Sequence, residues 1–164
     1  MQTNFRMIAG VSALGLVMAA AAPAQARHPD LTGTWILDPA HSDGAALPTA
    51  ATYTIIQHGD TITMDQQTTS EMGTVTTHMV LGLDGKAWKN NVTGPAGPFE
   101  LSSTGGWAHD TAAFLSTGTI QGADLVELDR VVPGADGKSF TMLRSGSAGG
   151  QDIPLVTLFF NKKP

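Results

Sequence analysis

The sequence predicts an all-β fold, a single antiparallel up-and-down barrel, and three observations carry that prediction. Apolar residues alternate with polar ones at a period of two, and helical spacing is almost absent. Nineteen threonines fall between residues 27 and 164, and β-branched side chains suit a pleated surface better than a helix. Clusters of Gly, Asp, Asn and Pro separate short apolar stretches along the whole chain, as tight turns require.

The first 26 residues come before that pattern and read as a removable signal peptide. Arg6 supplies the positive charge, residues 7–22 the apolar run, and Ala24 and Ala26 the small residues of a cleavage site before Arg27. The run is shorter than the roughly 20 residues of a membrane span, and nothing later is long and apolar enough for one. The chain therefore divides into a leader, 1–26, and a barrel domain, 27–164. The expected product is exported and, in a two-membrane bacterium, periplasmic. Without any Cys it cannot be a lipoprotein.

Ten strands are expected in the domain: Thr34 to Leu37, Thr52 to Gln57, Thr61 to Gln67, Thr74 to Leu83, Lys86 to Asn91, Phe99 to Thr104, Ala112 to Ile120, Leu125 to Val132, Ser139 to Arg144 and Leu155 to Phe160. The clearest hairpin turns at Gly59-Asp60, where Tyr53 and Ile55 on one arm match Ile62 and Met64 on the other. Further turns are read at Asp84-Gly85, at residues 94–98, at Ala108-His109-Asp110, at Gly122-Ala123-Asp124 and at Ala135-Asp136-Gly137. An open meander of ten strands leaves two unpaired edges, and closure removes both. The one long connection, Pro39 to Ala51, is expected as a loop or short helix across one barrel mouth.

Composition excludes several classes of function. The 164 residues are 41% hydrophobic and 14% charged, and with no Cys there are no disulfides, thiol nucleophiles or Cys-held metals. Beyond the leader, eight Lys or Arg face fourteen Asp or Glu, so no basic patch invites nucleic acid. Neither a phosphate-binding glycine loop nor a Gly-x-Ser-x-Gly elbow is present. The five histidines, His28, His41, His58, His78 and His109, show neither the i, i+4 nor the His-x-His spacing that brings two imidazoles to one ion. No metal site and no cofactor are expected.

Leu31-Thr-Gly33-Thr-Trp35-Ile-Leu37-Asp38-Pro39-Ala40-His41-Ser42 resembles the opening of a large group of exported bacterial lipocalin-like proteins. The resemblance continues through Leu83-Asp84-Gly85-Lys86, Trp107, Asp136-Gly137-Lys138 and a terminal apolar strand ending in Lys162-Lys163. It implies a calycin-like barrel in which Trp35 packs across the closed end and Gly33 lets backbone come close. It carries no catalytic residues. Trp88-Lys89-Asn90-Asn91 is also similar to a strand of biotin-binding avidins, without the rest of their ligand set.

Charged residues inside the predicted strands mark the candidate site. Parity puts Glu127 and Asp129 on one face with Val131, and Arg130 on the other with Val126, Leu128 and Val132, so one charged set must line the interior. Arg144 shares parity with Phe140 and Met142. An inward Arg needs a carboxylate, from the protein or from a ligand. Arg130 and Arg144 are accordingly expected as ligand contacts, with Tyr53, Trp88, Phe140 and Met142 as apolar lining. The alternative is that both Arg side chains sit at strand ends and reach water. Substituting Arg144 by Met is expected to weaken binding of an anionic ligand and leave the fold intact.

Three functions fit this pattern. The first is a barrel that binds a small, mostly apolar molecule, with an anionic end near Arg130 or Arg144. The second is a barrel enzyme of isomerase, cyclase or lyase type, with Tyr53, His78, Glu100 or Glu127 as acid or base. The third is an envelope interaction protein whose barrel is filled. Oligomeric state leaves no mark in the sequence.

Overall fold

Each of ten consecutive strands hydrogen-bonds its sequence neighbours in the computed structural model, which describes residues 28–45, 47–71, 73–94 and 97–164. The expected leader lies outside the described residues. The strands are β1 (Gly33–Leu37), β2 (Ala50–His58), β3 (Thr61–Ser70), β4 (Gly73–Gly82), β5 (Asp84–Gly94), β6 (Gly97–Ala108), β7 (Thr111–Ile120), β8 (Ala123–Pro133), β9 (Ser139–Ala148) and β10 (Gln151–Lys162). Closure comes from β1 pairing antiparallel with β10, Trp35 opposite Lys162 and Leu37 opposite Phe160. All ten expected strands are present, and the barrel is closed.

Alternation of side chains decides which residues fill the interior. In β2, Ala51, Tyr53 and Ile55 are buried, and across the Gly59-Asp60 turn Ile62, Met64 and Gln66 of β3 are buried with them. Gly59 takes a positive φ of 59°, the conformation that a two-residue hairpin asks of a glycine. The end of the barrel where β1 begins is closed by an aromatic floor. Trp35, 2% exposed, donates its indole N–H to the Leu31 carbonyl at 2.8 Å. Phe140 lies 4.8 Å from Trp35 and 4.7 Å from Phe160, and the Tyr53 ring lies tilted against Phe160 at 4.6 Å. Gly33 has φ of 148°, and a Cβ there would collide with the Lys162 side chain, whose ammonium lies 5.1 Å over the Trp35 ring.

The long connection contains the short helix expected of it and is tied to the barrel wall. After a 3-10 turn at Pro39–His41, Asp38 and Asp43 hydrogen-bond the β10 backbone at Phe159 and Thr157, and Thr49 bonds Thr69 of β3. The segment thus extends the wall where the five residues of β1 run out. Leu47 packs inward against the core. The backbone groups that β1 is too short to pair find partners this way, which is why the chain hugs the wall.

One seam is loosely paired. Between β4 and β5, among the described residues, Thr76 and Thr93 are the one pair of ladder partners. Further along, the buried Asn90 side chain stands in for a strand: its amide oxygen accepts from the Val80 N–H at 2.7 Å and its NH2 donates to the Val80 carbonyl at 3.1 Å. Removing both partners at once leaves a backbone donor and acceptor unsatisfied. Asn90→Ala is therefore expected to cost about 2 kcal/mol in urea unfolding, and a loss below about 0.5 kcal/mol would mean that water already bridges the seam.

Candidate functional site

The interior charge cluster follows from strand register. In the β8–β9 pair, Asp129 stands directly opposite Arg144 and Val131 opposite Met142, so side chains of one face meet across about 5 Å. Arg144 donates from Nε to Asp129 Oδ1 at 2.8 Å and from one terminal nitrogen to Oδ2 at 2.9 Å, the two-pronged geometry of strong guanidinium–carboxylate pairs. Glu127, two residues back along β8, brings a second carboxylate oxygen to 3.5 Å from the same Nε. Arg144 and Glu127 each keep 25% of the side chain exposed and Asp129 keeps 13%. Tyr53 joins from β2; it is 1% exposed, with the Thr68 side chain beside its hydroxyl.

Burial sets the electrostatics of this cluster. Burial pushes the Glu127 pKa upward, the Arg144 guanidinium partly offsets that, and the Asp129 carboxylate pushes it up again. For Arg144, burial works against the charge, and Asp129 and Glu127 more than compensate, holding its pKa well above the ordinary value. Burial also raises the Tyr53 hydroxyl, which stays neutral at physiological pH.

The upward shift of Glu127 has a defined consequence for stability. Above the unfolded-state value of 4.5, the folded chain binds more protons than the unfolded one, so stability falls as pH rises through the window between 4.5 and the raised folded value. Glu127→Gln is expected to remove that slope and to stabilise the protein at neutral pH. Thermal melts of both proteins from pH 4 to pH 8 check this, and parallel curves would refute it.

Against the cluster lies a cavity of about 30 Å³, room for about two water molecules. Its polar wall is Ser116, Glu127 and Asp129, and its apolar wall includes Met64, Met79, Phe114, Phe140 and Met142. Ser116 is tied to Ser103 at 2.8 Å. Two carboxyl groups, both held by the Arg144 guanidinium, thus form one side of a mostly apolar space.

Among the residues singled out from sequence, Tyr53, Glu127, Arg144, Phe140 and Met142 come together in the lumen. The others do not. Arg130 is exposed on the outer face, because β8 turns Glu127, Asp129 and Val131 inward and parity then sends Arg130 out. Trp88 is half-buried beside the β4–β5 seam, its indole against Gly82 and its N–H 3.3 Å from Asp84, and it is no part of the cavity wall. Glu100 pairs with Lys89 at 3.0 Å on the exposed surface, and His78 pairs with Asp65 at 2.6 Å, both well exposed. Asp129 and Ser116 belong to the cavity without having been singled out as contacts. For Asp129 the signal was its shared parity with Glu127; for Ser116 nothing in the pattern stood out.

Among the described residues no three His, Asp or Glu gather where they could hold a metal ion, and no helix is long and apolar enough to cross a membrane.

No protein-family model and no curated protein matches this chain. Among solved structures, it is similar to a secretory abundant heat soluble (SAHS) protein from Ramazzottius varieornatus, with a TM-score of 0.52 and 10% identity, covering 84% of this chain and 98% of the other. At that identity the likeness is one of fold, and the fold it supports is the closed antiparallel barrel.

Proposed function

We propose that this chain is an exported barrel that takes a small, mostly apolar molecule into its interior. The observation that carries the reading is the Glu127–Asp129–Arg144 cluster placed against the apolar cavity. A barrel serving only as a solid block gains little from three ionisable groups at its centre, because well-packed apolar residues there are commonly as stable or more so. Apolar walls with a few convergent polar groups are what small-molecule sites have. The anionic end expected from the sequence is not part of this reading, since Asp129 already occupies Arg144.

At about 30 Å³ the space is small, so a ligand has to displace side chains. Met64, Met79 and Met142 line it, and methionine repacks more readily than branched residues. The small volume also favours a second reading, a filled barrel that works through its outer face. The catalytic reading retains only Glu127 and Tyr53 within the lumen.

Native mass spectrometry of protein recovered from its own compartment separates these readings. A retained small molecule, released on unfolding, supports binding. Protein that carries none, and that no panel of apolar probes stabilises, supports the filled barrel. N-terminal sequencing of the same sample is expected to begin at Arg27; an N-terminus at Met1 would refute export by a cleaved leader.

A further inference from the structure

The charges of the lumen identify the polar end of the ligand. Arg144 turns both its Nε–H and a terminal N–H onto Asp129, at 2.8 and 2.9 Å, the pair of donors that would otherwise receive a ligand carboxylate. Glu127 brings a second carboxyl to the same guanidinium at 3.5 Å. Of the other basic side chains, Lys86 and Lys89 are tied to Asp84 and Glu100 outside the barrel, Arg130 is exposed, and Lys162 lies over Trp35 at the floor. Among the described residues two carboxyl groups therefore share one cation, and the site holds either one negative charge or one added proton. A carboxylate entering it would meet like charge in a poorly hydrated space, where that repulsion is least screened.

We propose that the lumen binds the protonated amine of a molecule with an apolar body, its ammonium against the Glu127 carboxylate and the Ser116 hydroxyl and its carbon chain among Met64, Phe114 and Met142. The proposal rests on the small-molecule reading above and names that ligand's polar end. Glu127, Ser116 and these three residues border the same cavity, so head and body enter one space once the methionine side chains have moved to admit the chain. An ammonium brings the opposite charge and three hydrogen-bond donors to a wall that offers carboxylate and hydroxyl oxygens. It takes the place of the proton that would otherwise neutralise Glu127.

Three probes with the same short chain test this: hexylamine, 1-hexanol and hexanoate, titrated calorimetrically into the protein at pH 7.5. The expected result is a Kd for hexylamine at least tenfold tighter than for 1-hexanol, and no measurable binding of hexanoate. Glu127→Gln keeps the shape of the side chain and removes its charge. It is expected to bring the hexylamine Kd up to that of 1-hexanol measured on the same variant. Hexylamine no tighter than 1-hexanol, hexanoate tighter than either, or a hexylamine Kd unmoved by Glu127→Gln overturns the amine assignment and leaves the binding barrel standing. Failure of all three probes to bind overturns both.

Discussion

Arg144→Met is expected to destabilise the protein by about 3–5 kcal/mol at neutral pH, the usual cost of stripping one partner from a buried ion pair. The substitution leaves Asp129 and Glu127 facing each other with no cation between them, since both approach the same guanidinium. The loss is expected to shrink in acid, where Glu127, its proton affinity already raised by burial, neutralises first. Removing all three charges together, as Glu127→Gln, Asp129→Asn and Arg144→Met, is expected to recover most of the stability, because no charge is then left unpaired. Urea unfolding of the single and triple variants at pH 5 and pH 7.5 makes the comparison. An Arg144→Met protein as stable as its parent at pH 7.5 would show that water solvates the cluster. The sequence alone presented this substitution as harmless to the fold, because it left open whether the carboxylate partner of Arg144 came from the protein or from a ligand.

Phe140→Ala is expected to cost a similar amount, about 3–5 kcal/mol, for a different reason. Phe140 is 1% exposed, touches Trp35 and Phe160 in the aromatic floor, and also borders the cavity. Truncation joins the vacated ring volume to the existing space. Closed strand pairing on both sides of β9 hinders the wall from collapsing into it. The vacated part, bordered by the aromatic rings of the floor, is expected to accept a ring-sized molecule, as apolar engineered cavities do. Benzene is therefore expected to raise the Tm of Phe140→Ala and to leave the parent unmoved. A loss under about 1 kcal/mol, or a variant indifferent to benzene, would mean that the floor repacks.

Much of this architecture is legible in the chain because it depends on local rules. Period-two alternation specifies strands, and a glycine at a hairpin turn, as at Gly59, specifies where a strand reverses. Trp35 could be placed at the closed end from its neighbours and the lipocalin-like opening. The rest lies where local rules run out. Composition marks Pro39 to Ala51 as a loop or short helix, but that the edge of β10 beyond the short β1 pairs with Asp38 and Asp43 follows only from the closed barrel. Trp88 alternates as a lining residue should, but it sits beside the β4–β5 seam, where regular pairing lapses.

The candidate site marks the same boundary most sharply. Parity alone established that Glu127 and Asp129 share one face and Arg130 the other, and that Arg144 travels with Phe140 and Met142, because successive side chains of a strand must point to opposite sides. Which face is inside, and which residue meets which across the ladder, required the closed barrel: the register that sets Asp129 opposite Arg144 arises between strands and has no trace in either one. That register turned the sequence's candidate anion receptor into a guanidinium already engaged by its own protein, and it left Glu127 as the carboxylate in excess.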